Sequence, residues 1–467
     1  MVDLRAGVQM FEPEIGLRRL AEFPFHLLSW VGTDGYPLSA AIEAEIEPAS
    51  GAVVLNPPAG VELPLGGELS LTASHIRPQP GVGYDERRHV TVWGRATTTT
   101  DGRLSFSAHA AWGWDESDIP FPEYVERQVG QSQRYLSRLS NELGRTVRPR
   151  LSLGWLVLRS TRLPFLSATF VPVSVGIAIA ALHGYFEPLA ALITLIGAAA
   201  VHLGLNVAND VFDARLGADE KNVNPTQYSG GSRVIQYGLV PLRTMALISL
   251  ACYAIAIGAG LLLLWLRPSV ELLAIGVIGI LVSFFYTAPP LKLVYRGLGE
   301  IAVALGFGPL MLLGAYVVQS GGPLAIEPFV ASLPIALLVT MILYANEVPD
   351  APADARAGKR TLPVRLPRTT VINVYYLLAL AAFAIIVGGV LAGILPVPAL
   401  IALVPLPLAL RVRDGLVAHY DQPYALMAVL GTNVRMHLYV GLLMLGAYLV
   451  VLALAALAPG VPLFLWR

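Results

Sequence analysis

Beyond about residue 160 the chain is a succession of apolar stretches, each of about 20 residues. No other feature restricts the fold as much. A stretch of that length spans a bilayer, and inside lipid every backbone N–H and C=O must be satisfied by an α-helix or a closed barrel. The stretches lie near 163–184, 188–209, 244–266, 271–288, 299–318, 328–346, 371–392, 396–411 and 434–458, which predicts an all-α bundle of about nine transmembrane helices. The eighth is short and carries Pro405 and Pro407, whose freed carbonyls need a neighbour. With 55% hydrophobic and 14% charged residues, the 467-residue chain is too apolar for an ordinary soluble enzyme.

The apolarity is uneven. Residues 1–150 carry ordinary amounts of charge, Thr, Gly and Pro, so the sequence divides into a polar domain, 1–150, and a membrane domain, 151–467. The formal net charge is zero and no basic stretch is interleaved with aromatics, which argues against nucleic-acid binding. Cys252, the only cysteine, lies in an apolar stretch; it excludes an internal disulfide and reads as a packing residue. The N-terminus lacks the continuous apolar core of a signal peptide, so the first domain is expected in the cytoplasm.

Lysine and arginine in the short loops set the orientation. They gather after the second stretch (Arg215, Lys221, Arg233, Arg243), the fourth (Lys292, Arg296), the sixth (Arg356, Lys359, Arg360, Arg365, Arg368) and the eighth (Arg411, Arg413, Arg435). The loops after the first, fifth and seventh have none, and the loop after the third has only Arg267. The even loops are therefore expected on the cytoplasmic side.

Two acidic runs end apolar stretches on that same side. Asn206, Asp210 and Asp213 stand at i, i+4 and i+7, while Asn346, Asp350 and Asp354 stand at i, i+4 and i+8, so each set shares one helix face. Carboxylates at that depth are costly without a compensating cation. Mg²⁺ takes oxygen ligands and is usually held by one or two carboxylates plus phosphate oxygens, which makes both sets, with Asp219, candidate metal ligands facing a diphosphate. Asp210, Asp213, Asp350 and Asp354 are the candidate catalytic acids. Arg233, Lys292, Arg296, Lys359 and Arg360 are candidates to neutralise a leaving diphosphate, and Tyr286 is a candidate contact to it. Asp and Asn at helix ends also serve as caps, and loop cations also serve orientation, so each residue alone carries a second reading. His202, one turn before Asn206, reads as a packing histidine.

Residues 20–110 alternate apolar and polar positions in short runs between turns, a small β-barrel pattern. Runs at His26–Val31, Leu38–Ile46 and His89–Ala96 flank a turn at Thr33–Pro37 and a hairpin at Asp101-Gly102, and a helix is expected over 121–143.

Three motifs in order resemble the UbiA superfamily of intramembrane prenyltransferases: Asn206-x-x-x-Asp210-x-x-Asp213, Tyr286-Thr-Ala-Pro-Pro-Leu-Lys292 through Tyr295-Arg296 to Glu300, and Asp350-x-x-x-Asp354 followed by Gly358-Lys-Arg-Thr-Leu362. The resemblance covers roughly residues 150–460. It implies a nine-helix bundle with a cytoplasmic cap, Mg²⁺-dependent cleavage of a polyprenyl diphosphate, and transfer of the prenyl group to an acceptor. Gly217 stands where many members have a further Asp, and Asp219 follows instead. That form, with Tyr228-Ser-Gly-Gly-Ser-Arg-Val-Ile235, most resembles the branch that prenylates 1,4-dihydroxy-2-naphthoate in menaquinone synthesis. Other acceptors of the family, 4-hydroxybenzoate, a glycerol phosphate ether or a tetrapyrrole, stay open, and a transporter or lipid-binding protein is the rival from another class. The first domain resembles the flavin-binding split barrel of the pyridoxamine 5′-phosphate oxidase-like families. This implies FMN or a deazaflavin near Ser74, Arg77, Arg87 and Arg88, or a barrel kept for dimerisation.

Overall fold

The computed structural model describes residues 9–465 except 33–34, 48–50, 57–59, 62, 65, 80–82, 148–150, 223–224, 227 and 459–461. It divides into two compact units, Met1–Val147 and Arg148–Arg467.

The first unit is one antiparallel sheet with two helices. Its strands are β1 (Gln9–Phe11), β2 (His26–Val31), β3 (Pro37–Ile42), β4 (Ala44–Glu47), β5 (Ala52–Leu55), β6 (Leu69–Gln79), β7 (Gly83–Thr98) and β8 (Leu104–Asp115). Their order is β3-β2-β6-β7-β8-β5-β4, with β1 also pairing β8. β3 and β4 end the order unpaired with each other, so the expected split barrel appears as a curled, half-barrel sheet. Period-two alternation buries Leu28 and Trp30 of β2, Leu69 and Leu71 of β6, and Val90 and Val92 of β7 in one core with α1 (Pro13–Leu20). The Asp101-Gly102 hairpin joins β7 to β8, with Gly102 in the left-handed region at φ 79°. Two residues of the expected Thr33–Pro37 turn lie outside the described residues. The expected helix is α2 (Phe121–Leu143). The arginines considered for a flavin phosphate are held by carboxylates: Arg77 by Asp85 at 2.9 Å, Arg87 by Glu116, and Arg88 by Glu22 at 3.6 Å.

The second unit is helical: α3 (Leu153–Thr161), α4 (Ser167–Leu182), α5 (Pro188–Leu216), α6 (Ala218–Lys221), α7 (Leu242–Leu266), α8 (Val270–Phe285), α9 (Gly299–Leu305), α10 (Met311–Ser320), α11 (Ile326–Ala357), α12 (Leu362–Arg365), α13 (Arg368–Leu391), α14 (Leu406–His419) and α15 (Leu426–Leu457). Among the described residues, six apolar segments reach spanning length: α5, α7, α9 with α10 joined through a π-turn, α11, α13 and α15. The expected count of nine is therefore not reached by length. α4 and α8 are apolar but 16 residues each, and the 396–411 stretch splits at Val404 and Pro405 into a 3-10 turn, Val397–Leu403, and α14. Proline supplies no N–H to carry a helix through that point.

Small residues bring the helices close. An added Cβ at Gly176 of α4 would lie 2.4 Å from the Leu312 carbonyl oxygen on α10, and one at Gly441 of α15 would lie 2.3 Å from Val171 Cγ1 on α4. The main core gathers Ile179, Leu312, Ile335, Met341, Tyr344, Tyr375 and Met444.

Candidate functional site

α5 and α11 end alike. Each carries its acids on the last turns and stops at a left-handed glycine four residues after the final Asp: Gly217 (φ 72°) after Asp213, and Gly358 (φ 77°) after Asp354. The two ends face one polar cavity of about 180 Å³, lined by Asn206, Asp213, Asp219, Asn346, Asp350, Asp354, Lys359 and Tyr286 among the expected residues.

The loop after α6 folds back over both ends. Asn222 Nδ2 donates to Asp350 Oδ1 at 2.7 Å, and the Gly230 N–H donates to Asp350 Oδ2 at 3.0 Å. The Ser232 N–H lies 3.3 Å from each oxygen of Asp210. Gly231 is required here: at φ 77° an added Cβ would stand 2.9 Å from Asp219 Oδ2. Asp219 is buried and also takes Gln236 Nε2 at 3.2 Å. Burial first, then Asp213 and Asp210, push its pKa well above the usual carboxylate range, against Arg162 and Arg233.

Two cations meet these acids. Arg162, just after α3, donates to Asp210 Oδ1 at 2.6 Å. Burial works against its charge, but Asp210, with Asp219 and Asp213, raises its pKa. Lys359 lies 3.6 Å from Asp213 Oδ2 and 3.7 Å from Asp354 Oδ1. Burial again opposes the charge, and Asp213 and Asp354 outweigh it, so the ammonium is held well above its ordinary pKa. Tyr295 OH donates to Asp213 Oδ1 at 2.8 Å, and Asn209 Nδ2 to Asp213 Oδ2 at 3.1 Å. Asn206 Nδ2 reaches the Thr161 carbonyl at 3.3 Å.

The other expected residues stand apart from the cavity lining. Asp210 is buried behind Arg162. Arg233 donates to the Asp219 and Asn222 carbonyls and so braces the loop. Arg296 is exposed and donates to the Pro290 carbonyl, Arg360 is exposed, and Lys292 lies 5.8 Å from the centre of the Tyr295 ring. Among residues not singled out from the sequence, Arg162, Asn209, Asn222 and Glu347 line the cavity. Arg162 precedes Asp210 by 48 residues, and the signal that marks it is an Arg at the start of an apolar stretch.

His202, Leu205, Tyr286, Val303 and Phe307 line both this cavity and a second, apolar one of about 440 Å³ between α5, α7, α8 and the α9–α10 segment. His202 itself is buried against Thr169 (Nδ1 to Oγ1, 2.7 Å) and edge-on to Phe307. A polar end and an apolar extension together suit an amphipathic substrate with an anionic head.

The UbiA prenyltransferase family matches residues 169–425, more than half of the chain. The chain belongs to that family. This UbiA protein is therefore a prenyltransferase and a multi-pass membrane protein. Among its relatives, the 1,4-dihydroxy-2-naphthoate octaprenyltransferase of Bacillus subtilis is 24% identical over 301 residues, 64% of this chain and 94% of that one. The Mycobacterium tuberculosis protein of the same name is 35% identical over 235 residues, 48% of this chain and 75% of that one. A solved UbiA homolog from Archaeoglobus fulgidus, bound to GPP and Mg²⁺, is 15% identical with a TM-score of 0.44, covering 62% of this chain and 99% of its own.

Proposed function

We propose that this UbiA enzyme transfers a polyprenyl group from its diphosphate to 1,4-dihydroxy-2-naphthoate, on the cytoplasmic side of a bilayer that the chain crosses nine times, with the shorter α4, α8 and the split 397–419 segment crossing beside the six of spanning length. The observation that carries the reading is the pair of acid-bearing helix ends on one polar cavity that adjoins an apolar one. Names of relatives support the acceptor: besides the two above, a Synechocystis protein 27% identical over 311 residues is a 2-carboxy-1,4-naphthoquinone phytyltransferase.

The donor set fits Mg²⁺. It is all oxygen, and Asn346 Oδ1 and Asp354 Oδ2 are buried with no hydrogen-bond partner. Asn206, Asp213 and Asp219 on one side, and Asn346, Asp350 and Asp354 on the other, would hold it, with Asp210 paired to Arg162 behind them. When bound it would supply Lewis-acid polarisation of the leaving group. Lys359 and Arg162 place positive charge beside the diphosphate, and Tyr286 marks where the prenyl chain leaves the polar cavity. The apolar walls exclude water from the allylic centre. The ring carbon bearing the carboxylate forms a bond to the first prenyl carbon. The bond from that carbon to the diphosphate oxygen breaks with its electron pair on the diphosphate, and the carboxylate departs as carbon dioxide, returning its pair to the ring.

The test is an assay in membranes with labelled geranylgeranyl diphosphate and either 1,4-dihydroxy-2-naphthoate or 4-hydroxybenzoate, with Mg²⁺ or with EDTA. A lipid-soluble product only with the naphthoate and Mg²⁺ is expected. Product only with 4-hydroxybenzoate, or undiminished with EDTA, overturns the acceptor or the metal assignment respectively. Asp350→Ala is expected to abolish turnover in protein that stays folded in detergent.

A further inference from the structure

Glu347 is the acid of this cavity that the metal and the diphosphate leave unused. It lies three residues before Asp350 on α11, on the same face, and is 5% exposed. The neighbouring carboxylates each have a donor: Asp213 has Tyr295, Asp219 has Gln236, Asp350 has Asn222, and Asp354 has Lys359. No donor outside the carboxyl pair reaches either oxygen of Glu347: its one partner is a second buried carboxyl, Glu300, whose Oε1 takes the Leu362 N–H at 3.3 Å, and a proton shared between the two carboxyls engages one Glu347 oxygen and leaves the other without a donor. A buried acceptor without a donor is costly, so an orphan aimed into a cavity points to a ligand that supplies one.

The position says which ligand. Glu347 and Tyr286 line the polar cavity together, and Tyr286 also lines the apolar one, so Glu347 shares its cavity with the residue that stands where the polar space gives way to the apolar one. A diphosphate brings no hydrogen-bond donor. A prenyl chain brings none either. The acceptor is the substrate with hydroxyl groups.

We propose that Glu347 takes a hydrogen bond from a hydroxyl of the aromatic acceptor and so turns the reacting ring carbon toward the first carbon of the prenyl chain. The inference rests on the aromatic-acceptor reading above. Glu347 makes and breaks no covalent bond. Either form of its carboxyl keeps an acceptor oxygen, so its role does not depend on ionisation.

The experiment compares wild type, E347Q and E347L in membranes, with geranylgeranyl diphosphate as donor and 1,4-dihydroxy-2-naphthoate or each of its two monomethyl ethers as acceptor. A site built around a hydroxyl rejects the analogue that lacks it. In E347L the acceptor KM is expected to rise roughly tenfold, and the preference for the dihydroxy compound over one ether to shrink by a similar factor. Donor KM and the Mg²⁺ concentration for half-maximal rate stay unchanged, and E347Q, which keeps an acceptor oxygen, recovers part of the loss. An acceptor KM and an ether preference equal to wild type overturn the inference, as does a change confined to the donor or to Mg²⁺. If E347L does not fold, the ether preference of E347A, which also lacks an acceptor oxygen, decides in the same way. A wild type inactive on both hydroxyaromatic acceptors but active on another class overturns the reading beneath and this inference with it, whereas an active wild type with indifferent variants overturns this inference alone.

Discussion

Arg162 is a site cation that the loops did not suggest. Its partner Asp210 is 2% exposed, and removing one member of a buried pair leaves the other charged and desolvated. Arg162→Met is expected to cut kcat by roughly a hundredfold, the scale of one lost preorganised electrostatic contact, with Arg162→Lys falling between it and wild type. Saturating-donor kinetics on detergent-purified protein check this, and a Met variant with wild-type kcat refutes it. The acids were legible in the sequence because i, i+4 spacing at the end of an apolar stretch is a local pattern. Arg162 was not, since its partnership is made across 48 residues and through a backbone turn at φ 53°. Lys292, Arg296 and Arg360 are loop cations of the kind the positive-inside rule counts, and composition alone does not separate that role from substrate contact. Asn209 was hidden inside its own motif. It lies one residue before Asp210, yet it hydrogen-bonds Asp213 and accepts from Thr287 Oγ1 at 2.7 Å.

Two kinds of glycine do different work in the helices. Gly176 permits close approach of α4 to α10, and a larger side chain there must push the helices apart or leave its rotamer. Gly176→Val is expected to lower stability by about 1–3 kcal/mol, read as a fall in the thermal midpoint of the full chain in detergent; an unchanged midpoint would refute the packing account. Gly276 on α8 faces the apolar cavity instead, and an added Cβ there meets nothing within 4 Å. Gly276→Phe is expected to fill part of that space and favour shorter donors. The ratio of kcat/KM for geranyl over geranylgeranyl diphosphate should rise roughly tenfold, the equivalent of about two buried methylenes. A ratio that stays put would move the prenyl tail elsewhere. Hydropathy located α7 and α13 within a few residues, since both are uninterrupted apolar runs, but it cut short the polar ends of α5, α11 and α15. It overcounted spanning-length helices where proline divides the chain near Pro405, because apolar content reports burial and not continuity of the helix.

The composition step near residue 150 was visible because the two units answer to different solvents, one with a polar surface and one facing lipid. The sheet pattern of the first unit was legible as well, but alternation gives strand faces and not closure, so an open curled sheet and a barrel read alike. The cavity-lining residues of the transferase site all belong to the unit Arg148–Arg467, and the family match begins at Thr169. The Bacillus subtilis relative is matched over 94% of its length by 64% of this chain, so its counterpart here leaves room for a whole additional unit. Prenyl transfer is therefore expected to survive removal of residues 1–147, with kcat within roughly threefold of the full chain, under 1 kcal/mol of barrier. The comparison needs equal amounts of folded protein in membranes, judged by a detergent melt. A truncated chain that melts normally yet turns over more than about tenfold slower would mean that the first unit acts on the chemistry, for which the cavity supplies no residue. A truncated chain with normal kcat but altered acceptor KM would place the first unit on the path by which the acceptor arrives.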